Sequence, residues 1–355
     1  MSVPATVSAS VPAMIDWKVA VALGTRLAGE GPQVTREEAD RAVAELRAGA
    51  RRSTGLVREF TGLDAPDDTA PVLVVDRSGW VRANAEGFAV ATRPLVDKIA
   101  ANTPSGMGRT IGSKVTGAEV GGLLGFLAGK VLGQFDPFGQ PETAPHGRLL
   151  LVAPNIVHVE RELGVDPDDF RLWVCLHEET HRVQFTAVPW MREHLQSTIQ
   201  EISDTVEPAS FLEGGLERVR EAMAAGRNGG SIVEMFSTPE QRVVLDRVTG
   251  MMSLLEGHAD VVMDDVGPTV IPSVAEIRRK FTKRRQGVGT LDRMLRRLLG
   301  LEAKMAQYRD GAGFVRAVVD KVGMTEFNAV WESPEHLPGK DELADPDAWV
   351  RRVLG

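Results

Sequence analysis

The chain has a single cysteine, Cys175, among 355 residues, so it cannot form an internal disulfide and does not read as a cysteine-stapled secreted domain. Tyrosine is as scarce, with Tyr308 alone, and aromatic residues make up 5 %. No basic stretch followed by an apolar core opens the sequence, so no signal peptide is read and the cytoplasm is the expected compartment. Positive charge is in deficit: a formal net charge of −8 and a pI near 5.5 do not suit nucleic acid or an anionic membrane as partners. Long apolar runs are missing too. Glu119 and Lys130 bound an uncharged stretch of 10 residues, well short of the ~20 that a membrane helix needs.

What is present is a hydrophobic fraction of 43 %, enough for a substantial core. Its patterning predicts a mainly α chain with a small β-sheet, an α+β fold. Residues 1–14, rich in Ser, Ala, Val and Pro, are expected to be loose, and 15–355 to form one domain with room for a helical subdomain over 15–145. Helices are expected over 16–28, from the capping box Thr35-Arg36-Glu37-Glu38 through Leu46, and over 84–101. Val72–Val75 and residues 149–152 are the strand candidates. Gly117, Gly121, Gly125, Gly129 and Gly133 recur at every fourth position among apolar residues, which predicts a core helix with a glycine face for close backbone approach. Residues 214–231 read as a surface loop, and the basic run Arg278, Arg279, Lys280, Lys283, Arg284, Arg285 as a solvated face or a site for an acidic partner.

One segment carries chemistry. His177-Glu178-Glu179-Thr180-His181 is an HExxH pattern, and the sequence around it reads as a helix. Asp166 offers an N-cap acceptor, Pro167 suits the first helical position, and Asp168 and Asp169 lie against the positive end of the dipole. Neither Gly nor Pro interrupts residues 170–185. Histidines four apart on a helix project from one face, so both imidazoles can reach one cation with the glutamate beside it. Cys175, two residues before His177, faces elsewhere and reads as a small buried apolar residue.

A third ligand is sought downstream. Thr238-Pro239-Glu240-Gln241 opens a second long helix, for which Gly267-Pro268 is the expected stop. Glu256 sits there among apolar residues, where a carboxylate is costly unless paired or metal-bound. Asp260, one turn on, suits an acid that accepts the spare N–H of a ligand histidine. His258 is the rival ligand; it points about 200° away from Glu256, so the two are not expected to bind one ion, and otherwise it is an ordinary polar residue on the other face.

The pairing of His177-Glu178-x-x-His181 with Glu256-x-x-x-Asp260 resembles the glutamate-ligand zincins. The chain as a whole is similar to a bacterial family of zincin-like metallopeptidases of type 2, some members of which are labelled as associated with biosynthesis of a deazaflavin cofactor. The matching stretches span almost the whole sequence: residues 15–17, 82–88, 133–138, 151–155, 177–185, 256–264 and 327–334. The resemblance implies a zincin-like architecture and Zn²⁺ held by His177, His181 and Glu256, with Glu178 as general base. It also implies that Tyr308 donates to the developing oxyanion, because such zincins often use a tyrosine or histidine downstream of the third ligand. A strand just upstream of the HExxH helix would border the cleft; residues 149–152 could play that part or be an internal strand. The expected activity is hydrolysis of a peptide or small amide. Two alternatives stand: a non-haem iron enzyme with the same ligands, and a non-catalytic scaffold tied by metal. A di-iron bundle is disfavoured, since it needs two Glu-x-x-His helices and two further glutamates.

Overall fold

Residues 149–152 are apolar without alternation because the strand that holds them is covered on both faces, each buried side chain there contributing about 1.5–3 kcal/mol. The computed structural model describes residues 14–66, 70–101, 107–139, 144–205, 238–286 and 301–355, with side chains from 311 onward in the last segment. Helices α1 (Trp17–Leu27) and α2 (Arg36–Thr61) precede strand β1 (Val72–Val75). Helices α3 (Arg77–Ala91), α4 (Arg93–Ala101) and α5 (Met107–Ala128) then lead to β2 (Gly133–Asp136) and β3 (Arg148–Val152). After them come α6 (Ala153–Leu163), α7 (Pro167–Ala187), α8 (Met191–Thr205), α9 (Pro239–Val270), α10 (Val274–Gln286) and α11 (Leu301–Val322), with short helical turns at the C-terminus.

The three strands form one mixed sheet in the order β1-β3-β2, with β3 parallel to β1 and antiparallel to β2. Alternate residues of β3 serve different cores. Leu150 and Val152 pack with Trp80, Val81, Ala85 and Leu124 of α3 and α5, whereas Leu151 joins the larger core of α2, α7, α9 and α11. The central strand thereby links the sheet to both helical layers. It also resolves its own reading: residues 149–152 are internal, and the edge next to the HExxH helix belongs to β2.

Local chemistry fixes the helix starts. The Asp16 carboxylate accepts from Lys18 and Val19, Thr35 and Glu38 form a reciprocal capping box, and α2 runs past Leu46 to end at Gly62 in the left-handed region. Asp166 caps α7 with Pro167 at its first position, and Thr238 and Gln241 box the start of α9. Where one helix was expected over 84–101 there are two, the first starting earlier, at the Asp76 cap. Helix α9 continues through Gly267-Pro268 to Val270. Proline there forfeits one main-chain bond near the helix end, and burial of Val266 and Ile271 carries the turn onward.

The glycine stripe packs α5 against α1. A Cβ at Gly117 would stand 2.4 Å from the Asp16 carbonyl oxygen, and one at Gly121 2.6 Å from that of Ala20. Only glycine allows the two backbones this close. Gly129 lies in the turn after α5, and the last member of the repeat, Gly133, falls on β2. Among the described residues, no helix is long and apolar enough to cross a membrane. Residues 1–13 and the segment 214–231 lie outside the described residues.

Candidate metal centre

Helix α7 presents His177 and His181 one turn apart, their ring centroids separated by 4.8 Å and their planes nearly perpendicular. Helix α9 crosses it and brings Glu256 opposite. Its Oε2 lies 3.7 Å from His177 Nε2 and 3.8 Å from His181 Nε2, and one donor atom from each of the three residues falls within 4.8 Å of the others. Donors around one tetrahedral zinc stand about 3.4 Å apart, so the two glutamate–histidine separations are within a few tenths of an ångström of that spacing. The crossing of α9 with α11 is set beside Glu256: a Cβ on Gly257 would overlap Gly311 of α11 at 2.2 Å, and one on Gly311 would overlap the Ser253 carbonyl at 1.9 Å. The Glu256 carboxylate is therefore carried on a helix clamped backbone to backbone.

Glu178 is nearly buried at 7 % exposure. Its carboxyl is pushed well above the ordinary range, first by burial and then by the carboxylates of Glu256 and Glu179. Glu179 has its own counter-ion: Arg182 Nε donates to it at 2.7 Å, and the Thr54 hydroxyl of α2 adds a bond at 3.2 Å. Glu178 and Glu256 thus line one cleft with two histidines, a concentration of acid and imidazole donors that a cation would compensate. The donor set fits a divalent ion.

The bond made by the other nitrogen sets the orientation of each histidine. His181 Nδ1 meets Gln184 Oε1 at 2.9 Å, and the Gln184 amide nitrogen in turn meets the Leu255 carbonyl at 3.0 Å and His258 Nδ1 at 2.9 Å. His177 Nδ1 lies 3.2 Å from the sulfur of Met263. Asp260 does not take the place expected for it behind a histidine. The guanidinium of Arg278 on α10 lies 3.6 Å from its carboxylate, donates to its carbonyl at 3.1 Å and pairs with Asp264 at 2.8 Å. His258, read from sequence as an ordinary polar residue, is fully buried between Phe327 and Trp331. Burial, and secondarily His181, pushes its pKa down to about 3, so its ring is neutral.

Two residues to which the sequence reading gave no part at this site shape the centre. Gln184 stands three positions after His181, a spacing that puts it on the same face and could have marked it. Gly133 gives no such signal, yet a Cβ there would stand 2.6 Å from both Cγ and Cδ of Glu178. The cleft, of about 350 Å³, is bordered by β2, by Phe88, Phe138, Phe185 and Met252, and by the triad with Glu178. Tyr308 lies on α11, and its side chain is outside the described residues. Cys175 is buried, its thiol directed at the Leu46 carbonyl of α2 at 3.4 Å and pushed upward in pKa by burial. Within the basic run, Arg278 pairs with Asp264, Lys280 with Glu276, and Arg284 with Glu162, so much of its charge is met inside the fold.

Comparisons with known proteins come to the same place. Among curated proteins, none matches the chain. A crystal structure from Chloroflexus aurantiacus, described as a candidate hydrolase with a novel fold, is similar at 33 % identity, with a TM-score of 0.70 over 95 % of this chain and 98 % of that one. The family model described as zincin-like metallopeptidase matches residues 15–350. A family implying a divalent metal thus coincides with a His/His/Glu cluster in the structure. The match takes in α7, α9 and the sheet beside them, and the chain belongs to the zincin-like metallopeptidases.

Proposed function

We propose that this protein is a zinc-dependent hydrolase of peptide or small amide bonds, with His177, His181 and Glu256 as ligands and Glu178 as general base. One observation carries the reading: Glu178 is held in the cleft beside the three converging donors, with Gly133 of the adjoining strand pressed against it. When bound, zinc supplies Lewis acidity toward the scissile carbonyl and lowers the pKa of a water to near ~7. Glu178 takes the proton of the attacking water on its carboxylate and passes it to the departing amine. Burial, which raises its pKa, strengthens it as a base so long as it remains ionised, and the charge of a cation in the triad would favour that ionised form.

The edge position of β2 supports a substrate with an extended main chain. The main-chain bond from Val152 to the Leu132 carbonyl sets the ladder's phase, which pairs Gln134 and Asp136 with β3 and turns the N–H and C=O of Gly133 and Phe135 outward. An extended peptide could add to that edge through backbone bonds, with apolar side chains taken up by the wall of Phe88, Phe138, Phe185 and Met252. Tyr308 is the proposed oxyanion donor, and Tyr308→Phe tests it. The net charge of −8 disfavours nucleic acid as a partner. An iron oxygenase would have no evident use for a carboxylate placed as Glu178 is.

The test is metal analysis of the purified protein followed by cleavage of a peptide library, for wild type and Glu178→Gln. Stoichiometric zinc in both proteins, with turnover lowered at least ~100-fold in the variant, is the expected result. Undiminished turnover by a zinc-loaded Glu178→Gln would remove the base, and iron in place of zinc would remove the hydrolase.

A further inference from the structure

We infer that Gln184 and His258 form a buried positioning relay that fixes His181 in the tautomer offering Nε2 to a cation. The inference rests on the metal-site reading for its purpose and on hydrogen-bond logic for its content. A main-chain carbonyl can only accept, so the Leu255 carbonyl, 3.0 Å from the Gln184 amide, fixes that end of the side chain as the NH₂ group. The other end is then the oxygen, an acceptor, and His181 Nδ1 at 2.9 Å must carry the proton. The lone pair of His181 is left on Nε2, the atom that faces Glu256 at 3.8 Å.

His258 completes the set. The second N–H of the Gln184 amide points to His258 Nδ1 at 2.9 Å, so that nitrogen accepts and the ring proton sits on Nε2. His258 Nε2 has no hydrogen-bond partner among the described residues. Holding an unpaired ring N–H in the core is unfavourable, and the relay supplies the reason for keeping a histidine there. If the Gln184 amide turned over, its oxygen would face the Leu255 carbonyl and its nitrogen would face His181 Nδ1, and the lone pair would move to the wrong ring atom. Both Gln184 and His258 are fully buried, which denies water the chance to satisfy the turned state. Helix α9 therefore serves the centre twice: Glu256 is the proposed ligand, and Leu255 and His258 on either side of it set the orientation of a histidine on α7.

The relay is tested first without any variant. In the metal-free full-length protein, long-range ¹H–¹⁵N correlation of the histidine rings is expected to show the proton of neutral His181 on Nδ1 and that of His258 on Nε2. The opposite tautomer at His181 overturns the proposal whether or not the protein binds metal. Two variants follow, with Zn²⁺ titrated against a chromophoric chelator. Gln184→Met keeps the volume and removes the acceptor; about a 10–100-fold loss of Zn²⁺ affinity is expected, with mixed His181 tautomers. His258→Phe keeps the packing on Phe327 and Trp331, and a smaller loss with partial mixing is expected. If Gln184→Met fails to fold, His258→Phe and the wild-type spectrum decide. Folded variants with wild-type affinity and an unmixed His181 spectrum overturn the relay. Failure of both wild type and His181→Ala to bind Zn²⁺ tightly would overturn the metal reading instead, with the tautomer result still standing on its own.

Discussion

Gly133→Ala places a methyl group where the structure has already placed Glu178. The added Cβ would stand 2.6 Å from Cγ, 2.6 Å from Cδ and 2.9 Å from Oε1 of Glu178, all well inside ordinary van der Waals contact. Glu178 must retreat by up to ~1 Å, and it is buried at 7 % exposure, so overpacking of this kind should cost about 1–3 kcal/mol. The backbone itself raises no objection, since Gly133 is not among the glycines with positive φ, and in an extended strand alanine is otherwise the better residue by about 0.5–1 kcal/mol. The two effects separate in a double-mutant cycle. Glu178→Ala removes all three of the atoms that the methyl group would meet, so in that background Gly133→Ala should be neutral or mildly stabilising. Urea denaturation of the four metal-free proteins reads the coupling, expected at about 1–3 kcal/mol, and needs no substrate. Equal destabilisation by Gly133→Ala in both backgrounds would refute the contact and, with it, the claim that β2 holds the base in place.

The remaining expectations follow from burial and charge. Below about 4.5 both folded and unfolded chains hold the Glu178 proton, and as pH rises past that value the unfolded chain ionises first, so the raised pKa in the fold makes the metal-free protein lose stability progressively with pH. Thermal denaturation in the presence of a chelator should therefore show Glu178→Gln gaining on wild type as pH increases, and a constant difference would count against it. Arg182→Met leaves the fully buried Glu179 without its counter-ion and should cost about 3–5 kcal/mol in urea, most of it recovered in Glu179→Leu/Arg182→Met; no recovery would mean that the pair is not the source. Gly121→Ala sets a methyl group 2.6 Å from the Ala20 carbonyl oxygen and should lower the thermal midpoint through about 1–3 kcal/mol of overpacking, whereas an unchanged midpoint would dismiss the α1–α5 contact.

The sequence by itself determined whatever depends on neighbours along one element. The capped start of α7 and the four-residue spacing of His177 and His181 were legible because a helix repeats every 3.6 residues and its first turn needs acceptors. The apolar run of β3 was legible as a strand, and the glycine stripe as a face for close approach. Glu256 was legible as a carboxylate out of place on an apolar helix. The same reasoning misplaced Asp260, because its partner Arg278 comes from α10 and no periodicity within α9 announces it. It also undervalued His258. Its 200° separation from Glu256 kept it off the proposed ligand set, but what lies on that other side is the amide of Gln184 from α7. Only the tertiary structure decided that β2 forms the cleft edge, that Gly133 backs Glu178, and that one main-chain carbonyl at Leu255 orients a side chain reaching His181. Helical spacing determines which side chains share a face; which faces meet depends on how the helices cross, and here glycine contacts such as Gly257 against Gly311 set a crossing that no single segment encodes.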